Sequence, residues 1–140
     1  MKKWVIFLIL SIGFCITSVS CIKESSTFHW SVMVTNKTES AVYWAFAWTP
    51  NWDLEVPYYG YIEPDFKILP NETKKISILY GANSIEGSVG KGKMKVFFLD
   101  ADILDKLPVG RVPIESVLGS RIYTLEEIRA INFHFCFPFE

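Results

Sequence analysis

Three closely spaced aspartates, Asp100, Asp102 and Asp105, are the densest set of hard oxygen donors in the chain. Calcium is held by such carboxylates. The rest of an EF-type loop is missing, because no glycine follows the third acid and no glutamate closes the run. A strand end and a helix cap account for Asp100 and Asp102 more simply. Asp102 is the expected N-cap of a helical turn from Ile103 to Leu107, which Pro108 ends. The two histidines, His29 and His134, both fall in alternating, strand-like stretches. His134 and Cys136 make a His-x-Cys pair on one strand face, half of a zinc site. Zinc usually takes four ligands, no others stand out, and both residues read as structural filler. Cys136 has no basic neighbour in sequence to activate it, which fits an inert buried thiol. The run Gly87 to Gly92 lacks the P-loop spacing and precedes a strand, so it is not a phosphate cradle. No metal, cofactor or catalytic residue is expected.

The residues best suited to binding are aromatic. Trp48, Trp52, Tyr58, Tyr59 and Tyr61 fall in or beside an irregular stretch from Thr49 to Phe66. Pro50, Pro57 and Pro64 exclude a central strand or a helix interior there. So long a loop within a compact domain is uncommon and often functional. Its rings suit stacking on a sugar or anchoring a protein partner. The competing reading makes the same rings a lid over one end of the core.

The N-terminus sets where such a domain goes. Lys2 and Lys3 precede an apolar run from Trp4 to Ile16, and small or polar residues lead to Cys21. A positive start, a short apolar run and small residues before a cut describe a secretory signal. The run is shorter than the roughly twenty residues a membrane span needs. Residues 1–20 are therefore read as a signal peptide, Cys21 to Thr27 as anchor and tether, and 28–140 as one domain. Ser18-Val19-Ser20-Cys21 resembles a bacterial lipobox, with Ser18 where leucine is commonest. Lipidation of Cys21 is the implied consequence. A diacylglycerol with an added acyl (palmitate-type) chain would anchor firmly, since stable attachment takes more than one chain. Ile22, by resemblance to Gram-negative sorting rules, does not specify inner-membrane retention, which leaves the outer membrane. The whole chain carries a formal charge of −1, and the signal holds two of its lysines and no acids. No long basic run is present, which argues against nucleic acid as a partner. Cys15 leaves with the signal and Cys21 takes lipid, so Cys136 has no disulfide partner.

The elements that must position these residues are mostly strands. Phe28 to Thr35 and Ala41 to Trp48 alternate with period two, separated by the polar turn Asn36 to Ser40, and read as a hairpin. Lys67 to Leu69 and Lys74 to Tyr80 flank Pro70 to Thr73 and read as a second hairpin. Gly81 to Gly92, with four glycines, reads as a loop. Lys93 to Leu99 is a strand, and another is centred on Arg121 to Tyr123. Thr124 and Glu127 form a capping box for a short helix with Leu125, Ile128 and Ile131 on one face. Phe133, Phe135, Phe137 and Phe139 mark a terminal strand expected inside a sheet. Asn36-Lys37-Thr38 and Asn71-Glu72-Thr73 match the glycosylation sequon but read as turn residues. The fold class is mainly β: an antiparallel β-sandwich, immunoglobulin-like or transthyretin-like, of six or seven strands, with one or two short helices near the C-terminus.

Several segments carry a resemblance. Lys95-Val96-Phe97-Phe98-Leu99-Asp100-Ala101-Asp102-Ile103-Leu104 is similar to an FDAD-containing segment of small lipoproteins of Bacteroidota-type bacteria. Arg121 to Ile128 resembles their TLEDL segment, Asn132-Phe133 stands where they often have Asn-Trp, and Lys67 to Thr73 resembles their PGET turn. The arginine here is one residue nearer the threonine, the aspartate following the tyrosine in those proteins is missing, and the last strand is richer in phenylalanine. The resemblance implies a lipid-anchored domain of the Gram-negative envelope and brings no catalytic residues.

Sequence therefore points to a lipid-anchored envelope lipoprotein that works as a non-catalytic binding or scaffold module. Its expected partners are the membrane, through the lipid, and an envelope protein or glycan. A carbohydrate-binding accessory protein using residues 48–66 is the alternative. A small envelope enzyme is disfavoured, since no nucleophile–base pair is visible.

Overall fold

A computed structural model describes residues 28–48, 54–57, 63–78, 84–108 and 112–140. Seven strands form two layers. One sheet has the order β4-β1-β7, built from β1 (Ser31–Asn36), β4 (Thr73–Ser77) and β7 (His134–Phe137). The other has the order β3-β2-β5-β6, from β2 (Val42–Trp48), β3 (Lys67–Ile68), β5 (Lys93–Asp100) and β6 (Val117–Thr124). The sandwich expected from the strand pattern is present. Every pairing is antiparallel except β1 with β7, which run parallel.

The two turns read as hairpins are instead arches between layers. β1 and β2 lie in different sheets, and so do β3 and β4. Asn36 explains why. Its side chain is fully buried, and its Nδ2 donates to the carbonyls of Ser40 (2.7 Å) and Leu69 (3.2 Å). Its Oδ1 accepts from the Thr38 N–H (3.0 Å) and hydroxyl (2.7 Å). The Asn36 N–H donates to the Glu72 carbonyl at 2.9 Å, and Glu72 Oε2 accepts from the Leu69 N–H at 2.7 Å. One asparagine thus folds its own turn and ties it to the neighbouring one, so each turn crosses the sandwich rather than reversing within a sheet. Asn71 holds φ of 57°, a left-handed conformation asparagine tolerates. Asn36→Ala removes the bonds to the Ser40, Ile68 and Leu69 carbonyls and to the Thr38 N–H, of which the Ile68 carbonyl is buried, and is expected to cost about 1–3 kcal/mol in total. A urea melt measures this; a change of only a few tenths would show that the arches stand without it.

β2 and β5 are the central strands, and they are buried on both faces. Val42 through Ala47 are all buried, as are Met94 and Val96 through Leu99. Inside the sandwich, Trp44 meets Phe46, Phe66 and Phe135, with ring centroids 5.1, 6.0 and 5.8 Å apart. Val112 joins the same buried cluster, and Val56 and Leu104 pack against it half-buried.

Three short helices join the strands. α1 (Ile85–Val89) lies within the stretch read as a loop. Ser84 caps it by accepting from the Gly87 N–H, and Ile85 and Val89, four apart, are buried on one face. α2 (Ala101–Leu104) starts two residues earlier than expected, because Asp100 and not Asp102 is the N-cap. Asp100 Oδ1 accepts from the Asp102 N–H at 2.8 Å. α3 (Leu125–Ala130) has the capping box as read from sequence: Thr124 Oγ1 accepts from the Glu127 N–H, and the Glu127 carboxylate accepts from the Thr124 N–H at 2.7 Å. The aromatic terminal strand, β7, is an edge of its sheet rather than an interior strand. Phe135 on it is buried and Phe137 stacks on Phe98 at 4.8 Å, whereas Phe133, also buried, lies just before the strand in a turn with φ of 56°, so the strand is shorter than the phenylalanine alternation implied.

Candidate functional site

The groups capable of chemistry are, for the most part, spent on structure. Asp100 caps α2. Asp105 accepts from the Tyr43 hydroxyl at 2.8 Å and pairs with Lys67. The bonds from Lys67 and Tyr43 hold the Asp105 carboxyl below the ordinary range. Burial, then the bond to Asp105, pushes the Tyr43 phenol up to about 12. Asp102 is exposed on the first turn of α2. The three aspartates, weighed as oxygen ligands and read instead as a strand end and a cap, are not gathered at one point: among the described residues no group of three or more His, Cys, Asp or Glu side chains is placed where it could hold a metal ion.

His29 lies just before β1 rather than on it, in a clasp the sequence did not suggest. Its Nδ1 is 2.6 Å from Glu86 Oε1, its N–H donates to Glu86 Oε2 at 2.9 Å, and its carbonyl accepts from the Ile85 N–H at 2.8 Å. Its ring stacks on Phe133 at 3.7 Å. Glu86 is 8% exposed. Burial alone would raise its pKa, but the hydrogen bonds from His29 outweigh that and hold the carboxyl below its ordinary value of 4.5. A carboxyl with a depressed folded value contributes stability above its unfolded pKa, and that contribution is lost as pH falls through the folded one. Between 4.5 and that lower value, the wild type is expected to lose stability that a Glu86→Gln variant never had. Melting temperatures of the two proteins down a pH series check this; parallel curves would show that Glu86 is not the group titrating.

His134 and Cys136 do lie together, as the alternation implied. They face an open depression of about 300 Å³ with Arg121, Tyr123, Ile131 and Glu140. His134 Nε2 is already engaged with Thr35 Oγ1 at 2.7 Å. Arg121 lies over the Tyr123 ring at 4.9 Å and donates to the Glu140 carbonyl at 2.7 Å, while Lys37 pairs with the Glu140 carboxylate. The polar groups that line the depression are thus engaged with one another or with neighbouring residues, and the Cys136 thiol is half-buried among them.

The second recess is apolar and less committed. It is a groove of about 420 Å³ lined by Glu55, Val56, Val112, Pro113 and Ile114. Lys95 holds one wall by donating to the Leu54 carbonyl at 2.7 Å, and Val56 packs against the core. The other wall is set by a 3-10 turn, Ile114–Ser116, in which the buried Ser116 hydroxyl donates to the Pro113 carbonyl at 2.6 Å. That turn leaves Ile114 58% exposed. The groove adjoins, in sequence, the aromatic stretch singled out above.

Of the aromatic candidates, Trp48 is half-buried at the end of β2, edge-on to Phe46 at 4.8 Å. It packs against the core, as the lid reading has it, and Phe66 is buried there too. Trp52, Tyr58, Tyr59 and Tyr61 lie outside the described residues, as does Cys21. The groove itself was not read from sequence, because its walls come from two irregular stretches far apart in the chain. Comparison with protein-family models, curated proteins and solved structures finds no match to this chain.

Proposed function

We propose that this is a lipid-anchored lipoprotein of a bacterial cell envelope, held in the outer membrane through Cys21, whose sandwich is a non-catalytic binding or scaffold module. The observation that carries the binding part is a contrast. Asp100, Glu86, Asp105 and both histidines are tied into a cap, a clasp, an ion pair and a hydrogen bond, whereas the groove at Ile114 offers apolar surface with one acid at its rim. Concave apolar surface favours contact with the side chains of a ligand or partner. The signal-like N-terminus and the similarity of Lys95–Leu104 and Arg121–Ile128 to small Bacteroidota-type lipoproteins support the envelope part.

Apolar lining suits side chains of an envelope protein. The glycan alternative draws its support from the neighbouring Trp52, Tyr58, Tyr59 and Tyr61, whose rings could stack on sugars. One experiment separates the two. Ile114→Glu, Trp52→Ala and Tyr59→Ala are each melted and tested for retention of an envelope protein and of soluble polysaccharides. For a protein site, Ile114→Glu is expected to weaken partner binding by about 2 kcal/mol or more while barely altering the melting temperature. For a glycan site, Trp52→Ala and Tyr59→Ala abolish polysaccharide retention and Ile114→Glu does not. If neither ligand class is retained by wild type, and the aromatic variants melt much earlier, the binding reading fails and the rings are structural.

A further inference from the structure

The two sheets have four edges, and three are blunted. β3 is two residues long and runs into Leu69-Pro70. β4 presents Lys74 and Lys75. β7 is four residues long and is stopped by Pro138. Short strands, lysines and prolines are the means by which natural sheets avoid pairing with another chain. β6 differs. It is eight residues long, holds no proline, and carries Arg121 as its single charge. One side pairs with β5 from Lys93↔Thr124 to Leu99↔Val117, and among the described residues no strand pairs with the other side. A bulge at Phe98/Leu99 opposite Leu118 interrupts its pairing with β5. Leu118 and Ile122 are 45% and 38% exposed.

The strand is complementary to itself. We propose that β6 pairs antiparallel with β6 of a second copy of this chain about a twofold axis at Ser120, joining two four-stranded sheets into one. Strand partners in such a pair share a face, which restricts the possible registers. With the axis at Ser120, Leu118 lies opposite Ile122 of the other copy and Ile122 opposite its Leu118. Both exposed apolar residues are then covered. Arg121 falls opposite Gly119, against which the Phe137 and Phe139 rings lie, so the guanidinium meets no like charge there. An axis at Arg121 would set two arginines face to face, which is destabilising. An axis at Ile122 would run Leu118 past the end of the strand, where α3 begins. The Ser120 register pairs residues 117–123 of the two copies and leaves Thr124 to cap α3. The pairing is isologous, as a twofold contact must be, and it requires no lipid.

Cysteine cross-linking of the full chain in membranes tests this, in a Cys136→Ser background with the parent as control for Cys15 and Cys21. Directly opposed Cα atoms sit about 4.5–5.5 Å apart, within disulfide range. Ser120→Cys should therefore form a dimer on mild oxidation. Ile122→Cys should not, because its copies would be offset by four residues on each strand, about 13 Å. Adding Ile122→Lys to Ser120→Cys should remove most of the dimer while leaving the melting temperature unchanged. A Ser120→Cys chain that stays monomeric, an Ile122→Cys chain that cross-links as well or better, or a dimer indifferent to Ile122→Lys would each overturn the proposal.

Discussion

Truncating Phe135 to alanine is expected to lower the unfolding free energy by about 3–5 kcal/mol, the usual range for a buried ring. Phe135 is 1% exposed, on the one strand that pairs parallel with β1. Its ring lies 5.8 Å from Trp44 on β2 and 5.2 Å from Tyr123 on β6. It therefore links an edge of one sheet to a central and an edge strand of the other. Alanine leaves a void between layers whose other walls are aromatic and cannot easily collapse. A domain of this size has only about 5–15 kcal/mol in hand, so the variant should sit near its unfolding transition at moderate temperature. Phe135→Leu, which keeps most of the volume, should cost far less. Urea melts of both measure it. A loss of a few tenths in the alanine variant would mean that the Phe133–Phe139 face is not core.

That face was legible because phenylalanine recurred with period two, and burial follows period wherever a strand has one wet side. The same rule could not say that β7 is an edge. Edge or interior depends on which strand a distant segment chooses as neighbour, and β7 pairs with β1 across nearly the whole domain. Thr124 and Glu127 were legible because a capping box is local: both donors and both acceptors lie within one turn. The cap at Asp100 was misplaced by two residues because Asp100 and Asp102 are equally good caps in composition. The end of β5 decides between them. α1 was hidden by its glycines, and its signal was the Ser84 cap with Ile85 and Val89 four apart.

The arches are the more instructive failure. A polar five-residue connection between alternating runs fits a hairpin and an arch equally well. What separates them is whether the turn's own asparagine is exposed or buried. Asn36 is buried and spends its amide on carbonyls of the next turn, which only the assembled fold can supply. The groove beside Ile114 was illegible for a related reason: the Glu55–Val56 wall and the Val112–Ile114 wall meet only once β5 lies between them.

Anchoring of the proposed lipoprotein depends most directly on Cys21. Intact mass and membrane fractionation of wild type and Cys21→Ser test it together. The wild type should begin at Cys21, carry the mass of acyl chains, and pellet with membranes. The variant should be released from membranes or remain as the uncut precursor, without lipid mass. A Cys21→Ser chain that fractionates and migrates like wild type, or a wild-type chain with no lipid on Cys21, would contradict the lipoprotein reading.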